Sequence, residues 1–176
     1  FPSPVSIEYP LALVVEDNQD MSAFIRSLLE DNYRVQMAPD GEAGIHKALE
    51  LAPDIIISDV MMPKKDGFEL CQTLKQDERT SHIPIILLTA KAGQEHRIEG
   101  LEFGADAYLE KPFDRKELEV RLEQLIALRK TLQQRFGRMP YAPAEEGAGH
   151  SREAAFLVKL QQHILEKGNE DGFNVA

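Results

Sequence analysis

Apolar positions in this chain come in short solid runs separated by stretches of helical spacing. Leu11 to Val15, Tyr33 to Ala38, Ile55 to Asp59, Ile85 to Thr89 and Ala107 to Glu110 read as strands, and Ile55-Ile56-Ile57 as one buried on both faces. Between them the apolar residues recur every three or four positions. Asn18, Gln19 and Asp20 can cap a first helix carrying Met21, Phe24, Ile25, Leu28 and Leu29. Gly41 to Ala52 gives a second, with Ala43, Ile45, Ala48 and Leu49. Phe68, Leu70, Cys71 and Leu74 mark a third, and Ile98 and Leu101 a fourth that Gly104 stops. Asp114 caps a long fifth through Leu118, Leu122, Leu125 and Leu128.

Strands alternating with helices imply a parallel sheet covered on both faces, because right-handed crossovers put helices on each side. The pattern therefore predicts an α/β fold: a doubly wound, flavodoxin-like five-stranded parallel sheet of order 2-1-3-4-5 with five helices. In that order strands 1, 3, 4 and 5 are neighbours about 4.8 Å apart. Their C-terminal ends bring Glu16-Asp17, Asp59, Thr89 and Lys111 together, where open α/β sheets bind ligands.

Composition narrows the function. A net charge of -10 over 176 residues disfavours contact with a nucleic-acid backbone and suits a cation or a basic partner. The longest apolar runs, Leu11 to Val15 and Ile83 to Thr89, fall far short of the roughly 18 to 20 residues of a membrane span. No direct membrane contact by this chain is expected. The single cysteine, Cys71, cannot form an internal disulfide, which fits a reducing, cytoplasmic setting, and it reads as a small buried hydrophobe on a helix. Residues 1–10, with three prolines, read as an extended lead-in. The chain opens at Phe1-Pro2-Ser3-Pro4 without an initiator Met, as expected of a piece cut from a longer polypeptide.

Three carboxylates crowded at one place repel one another, so they need a cation or a proton. Glu16, Asp17 and Asp59 offer oxygen only, a donor set that suits Mg²⁺, which keeps several waters and leaves places for phosphoryl oxygens. Lys111 adds a mobile positive charge and Thr89 a hydroxyl. Positioning and charge neutralisation are what phosphoryl transfer requires, and Asp59 is the candidate nucleophile.

Glu16-Asp17, Asp59 followed by Met62-Pro63 and Asp66-Gly67, Thr89-Ala90 and Lys111-Pro112-Phe113 resemble the receiver domain of two-component response regulators, over roughly Leu11 to Leu128. The resemblance implies that Asp59 accepts a phosphoryl group from the phosphohistidine of a histidine kinase, in this or another polypeptide. It also implies that Glu16, Asp17 and Asp59 hold Mg²⁺ through side chains and Met61 through its backbone carbonyl. Glu16 departs from the second Asp of many relatives, which leaves open whether it meets the metal directly or through water. Tyr108 matches the aromatic switch position, expected to swing inward as Thr89 moves onto the phosphoryl group. That movement would remodel the face of the fourth helix, fifth strand and fifth helix, a possible homodimer surface. Met61 and Lys91 stand two residues beyond Asp59 and Thr89, where they border the approach of a hydrolytic water. The Lys111-Pro112 bond is expected to be cis.

Two other classes share features. A flavodoxin-type redox protein has the fold but needs a glycine- and hydroxyl-rich phosphate cradle after strand 1, where this chain has Glu16-Asp17. A Mg²⁺-dependent phosphatase with an aspartyl nucleophile shares the chemistry, but it calls for a general acid near the nucleophile, and Met61 stands two residues after Asp59.

Past the sheet, Leu118, Leu122, Leu125, Leu132 and Phe136 fall near heptad spacing, interrupted by Arg129. This stretch reads either as a short parallel coiled coil or as a single helix with a polar end. The domain plan is thus a lead-in over 1–10, a receiver over 11–130, a helix extension and linker over 131–151, and a truncated output domain over 152–176. In the last part, Phe156, Leu157, Leu160 and Ile164 make an amphipathic stretch that resembles the first helix of an AraC-type DNA-binding domain. DNA contact would belong to the remainder of that output domain, in a hybrid sensor regulator.

Overall fold

The computed structural model of the chain describes residues 8–90 and 102–136. The chain divides into two units, Phe1–Phe136 and Gly137–Ala176, and all described residues lie in the first. Five strands, β1 (Leu11–Val15), β2 (Arg34–Ala38), β3 (Ile55–Asp59), β4 (Ile85–Thr89) and β5 (Ala107–Glu110), form one sheet. All neighbours are parallel and the order is β2-β1-β3-β4-β5, the flavodoxin-like arrangement expected. Four helices are described: α1 (Gln19–Leu29), α2 (Gly41–Leu51), α3 (Gly67–Gln76) and α4 (Arg115–Phe136). The last corresponds to the fifth helix of the sequence pattern. The fourth predicted helix, with Ile98 and Leu101, lies outside the described residues, as do Lys91, the linker and the amphipathic stretch after it. Gly104, its predicted stop, has φ +85, the left-handed conformation that ends helices and that glycine adopts without a Cβ penalty.

Alternation along each strand sorts the core into two layers. Ala12, Val14, Ile55, Ile57, Ile86 and Leu88 point to Ile25, Leu28 and Leu29 of α1 and Leu118, Leu122 and Ile126 of α4. Leu13, Val15, Ile56, Ile85 and Leu87 point to Ala48 of α2 and Leu70, Cys71 and Leu74 of α3. A strand buried on both faces reads as a solid apolar run, which is why β3 and β4 are buried at every position.

Short acids and amides start every described helix. Asn18 Oδ1 accepts from the Met21 amide at 2.9 Å, Asp40 Oδ1 from Ala43 at 2.8 Å, and Asp114 Oδ1 from Glu117 at 2.8 Å. Asp66 and Glu69 form a reciprocal capping box on α3. Cys71 is fully buried and its thiol donates to the Phe103 carbonyl at 3.3 Å. Burial drives the thiol pKa up to about 11, against a smaller opposing effect of Lys75.

Two helix stripes differ from the expected core. Phe24 is 44% exposed and meets Phe113 in a tilted ring contact, centroids 6.3 Å apart, because only the Ile25, Leu28 and Leu29 side of α1 faces the sheet. Leu128, at 56%, lies off the Leu118, Leu122 and Ile126 stripe, although Arg129 beside it still reaches the Pro53 and Asp54 carbonyls at the start of β3. Among the described residues no helix is long and apolar enough to cross a membrane.

Gly67 opens α3 directly against the end of β3. A Cβ there would lie 2.3 Å from the Asp59 carbonyl oxygen and 2.9 Å from the Val60 Cα, both backbone atoms that cannot give way. Gly67→Ala is therefore expected to destabilise the domain by about 1 to 3 kcal/mol. Urea unfolding should show this as a lower midpoint at unchanged slope.

Candidate functional site: an acidic cleft at the C-terminal end of the sheet

β1 and β3 end side by side and deliver Glu16, Asp17 and Asp59 to one place. One carboxylate oxygen from each lies within 4.8 Å of the others. Glu16 is only 4% exposed and Asp59 8%, whereas Asp17 faces solvent. β3 is paired on both sides, with β1 and β4, so the backbone carrying Asp59 is held from two directions. Asp59 Oδ1 also accepts from the Met61 amide at 3.3 Å.

Lys111 closes the group. Its Nζ lies 3.0 Å from Asp59 Oδ2 and 3.1 Å from Glu16 Oε2. The Lys111 amide donates to the Thr89 carbonyl at 2.6 Å, and the Lys111-Pro112 bond is cis, as expected. Thr89 ends β4, buried, next to the strand that carries Asp59. Tyr108 lies on β5 opposite Leu87 and packs, half-buried, against the core layer under α2 and α3. The Met61 side chain projects into solvent, 74% exposed. Lys111 and the acids line an open cleft of about 490 Å³ together with Asn18, Asp20, Met21 and Phe24.

The electrostatics follow from burial. Removal from water raises the Glu16 pKa above its ordinary 4.5, and Asp59 repulsion adds to this, while the Asn18 amide and Lys111 pull it down. For Lys111 burial disfavours the charge, but the hydrogen bond and charge of Asp59, joined by Glu16, outweigh it and raise the pKa. One ammonium thus faces three carboxylates, leaving unneutralised negative charge in an oxygen-only site. Such a donor set fits a hard divalent cation.

Residues 12–123 match the sequence profile of the response regulator receiver domain. The chain belongs to this family. As a receiver domain it is a regulatory phosphoacceptor module of two-component signalling. It is 35% identical over 163 residues to histidine kinase P4 of Formosa agariphila, an alignment covering 93% of this chain and 12% of that kinase. It is 41% identical over 134 residues to the DNA-binding dual master transcriptional regulator RpaA of Synechocystis, covering 76% of this chain and 53% of the regulator. The chain therefore spans about half of the one relative and far less of the other. Among solved structures, the receiver domain of sensor histidine kinase PA1611 of Pseudomonas aeruginosa, described with a magnesium ion coordinated in its active site cleft, is similar. It has a TM-score of 0.64 and 34% identity, covering 68% of this chain and 98% of that one.

Glu16, Asp17, Asp59, Met61, Thr89 and Lys111 lie at this end of the sheet, while Tyr108 sits further back on β5, opposite Leu87. What sequence reading missed is that Lys111 bridges two acids at once, and that Glu16 is the most deeply buried of the three. Glu16's raised pKa also fixes a sign. Because the folded state holds its proton more tightly than the unfolded chain, Glu16's contribution to stability falls as pH rises from about 4.5 through the raised value. In EDTA, the stability of wild type relative to Glu16→Gln should accordingly decline over that window. Urea midpoints across the pH range would reveal a flat difference if Glu16 were not so perturbed.

Proposed function

We propose that Asp59 is the phosphoacceptor of a Mg²⁺-dependent signalling switch, charged by the phosphohistidine of a histidine kinase domain in the same or another polypeptide. The observation that carries this reading is the buried Asp59 carboxylate paired with the Lys111 ammonium, which it shares with a second buried acid, Glu16. Glu16, Asp17 and Asp59 would hold Mg²⁺ through their carboxylates and Met61 through its backbone carbonyl. The bound cation would offset the carboxylate repulsion and the charge on the transferring phosphoryl oxygens. An Asp59 carboxylate oxygen attacks phosphorus, the P–N bond to histidine breaks as the P–O bond forms, and the imidazole leaves with the electron pair. Lys111 holds its ammonium against the phosphoryl oxygens and the Thr89 hydroxyl donates to them. Tyr108 follows Thr89 as the switch residue, and the change passes to a transcriptional output. Phosphorylation adds about -1.5 to -2 charge, and it acts by favouring one arrangement over another.

In this reading residues 11–130 are the receiver, 131–151 a helix extension and linker, and 152–176 the start of an output domain working in the cytoplasm. DNA is contacted only through the rest of that output domain. A homodimer would use the face of the fourth predicted helix, β5 and α4. The aspartyl-nucleophile phosphatase is the second reading, since it would use the same nucleophile and cation.

Treating the protein with acetyl phosphate and Mg²⁺ should add one phosphoryl group to its intact mass. Asp59→Asn should gain none, and Asp17→Asn should lose Mg²⁺ binding. No gain in wild type would sink the proposal, and turnover of a generic phosphate ester would favour the phosphatase. Met61 carries no strong hydrogen-bonding group to hold an attacking water. Phospho-Asp59 is therefore expected to outlast seconds, and Met61→Asn to shorten its lifetime in a mass time course.

A further inference from the structure

The loop from Val60 to Asp66 carries Met61, whose amide donates to Asp59. Its root is closed by the Gly67 amide donating to the Val60 carbonyl at 2.9 Å. Its outer side is fastened to the start of α2, more than twenty residues earlier in the chain. Lys64 Nζ lies 3.1 Å from Asp40 Oδ2, while the other oxygen of Asp40 caps α2. The Asp40 side chain is 11% exposed and that of Lys64 61%. Lys64 adopts φ 66, a left-handed conformation that residues with a Cβ seldom take. The next carbonyl, of Lys65, passes so close to α2 that a Cβ on Gly41 would lie 2.1 Å from its oxygen. An unfavourable backbone conformation, an ion pair and a glycine gap thus coincide at one junction, and strained residues of this kind persist where the surroundings over-determine them.

We propose that the Asp40–Lys64 pair is a latch that positions the Met61 backbone beside Asp59, so that it sets the cation affinity of the acidic cleft without either residue touching the cation. The inference rests on the proposed Mg²⁺ site. Its electrostatic sign separates it from a plain charge effect. Lys64 is a positive charge near a cation site, so deleting it should tighten Mg²⁺ binding if charge alone mattered. If the pair holds the loop, deleting it weakens binding instead.

The test measures Mg²⁺ affinity by titration of amide chemical shifts in wild type, Lys64→Met, Lys64→Arg and the Asp40→Asn versions of each. Lys64→Met should bind roughly two- to five-fold more weakly, the scale of an exposed ion pair. Lys64→Arg should stay near wild type, and Lys64→Met should cost nothing further once Asp40 is Asn. In metal-free protein, hydrogen exchange at the Met61 amide should speed by a similar factor in Lys64→Met. Unchanged or tighter Mg²⁺ binding by Lys64→Met would overturn the latch. If wild type bound no Mg²⁺, the metal reading would fail, and the exchange measurement would still decide the latch: unchanged exchange rejects it, faster exchange upholds the loop positioning.

Discussion

The structure turns on one unfavourable arrangement, the close approach of the Glu16, Asp17 and Asp59 carboxylates with Lys111 as their only basic partner among the described residues. Carboxylates can be crowded like this only if the backbone cannot relax away. The sheet supplies that rigidity: β1 and β3 are paired on both edges and packed on both faces, so their ends cannot spread without breaking the ladder or exposing the core. The energy stored in the repulsion is therefore available to a cation, and the same feature makes the site chemically useful and electrostatically costly.

The connections around the acids share this economy. Asp40 and Asp66 each cap a helix, and each also governs the β3–α3 loop, through Lys64 and through the box with Glu69. At the opposite end of the strands, Lys75 ties the approaches to β4 and β5, donating to the Ile83 carbonyl at 2.9 Å and to Asp106 at 2.7 Å. Asp106 in turn accepts from the Ile85 amide at 2.8 Å. The start of the strand carrying Thr89 is thus anchored by side chains, not by a hairpin turn, which a parallel sheet lacks.

Much of this was legible in the chain itself. Solid apolar runs marked β1, β3 and β4, since a strand buried on two faces has no polar side to confuse the pattern, and the shorter or alternating edge strands β2 and β5 were placed to within a residue. Strand order followed from the doubly wound arrangement that five alternating units favour, and that order brought Asp59, Thr89 and Lys111 together. The misses have a common cause. Phe24 and Leu128 sat at helical spacing, but how wide a stripe the sheet covers, and where it ends, is a property of packing. The Lys64 conformation, the gap at Gly41 and the double engagement of Lys111 depend on through-space neighbours 24 to 95 positions away, which no local pattern records.

Cys71 offers a practical consequence. With its thiol pKa near 11 and no exposed surface, the only cysteine in the chain stays almost wholly un-ionised and sheltered at neutral pH. An alkylating reagent then meets a thiolate only when α3 lifts from β3 and β4. The rate of labelling is a built-in clock for the opening of that layer, and cysteines introduced elsewhere as probes would react without competition from the native one.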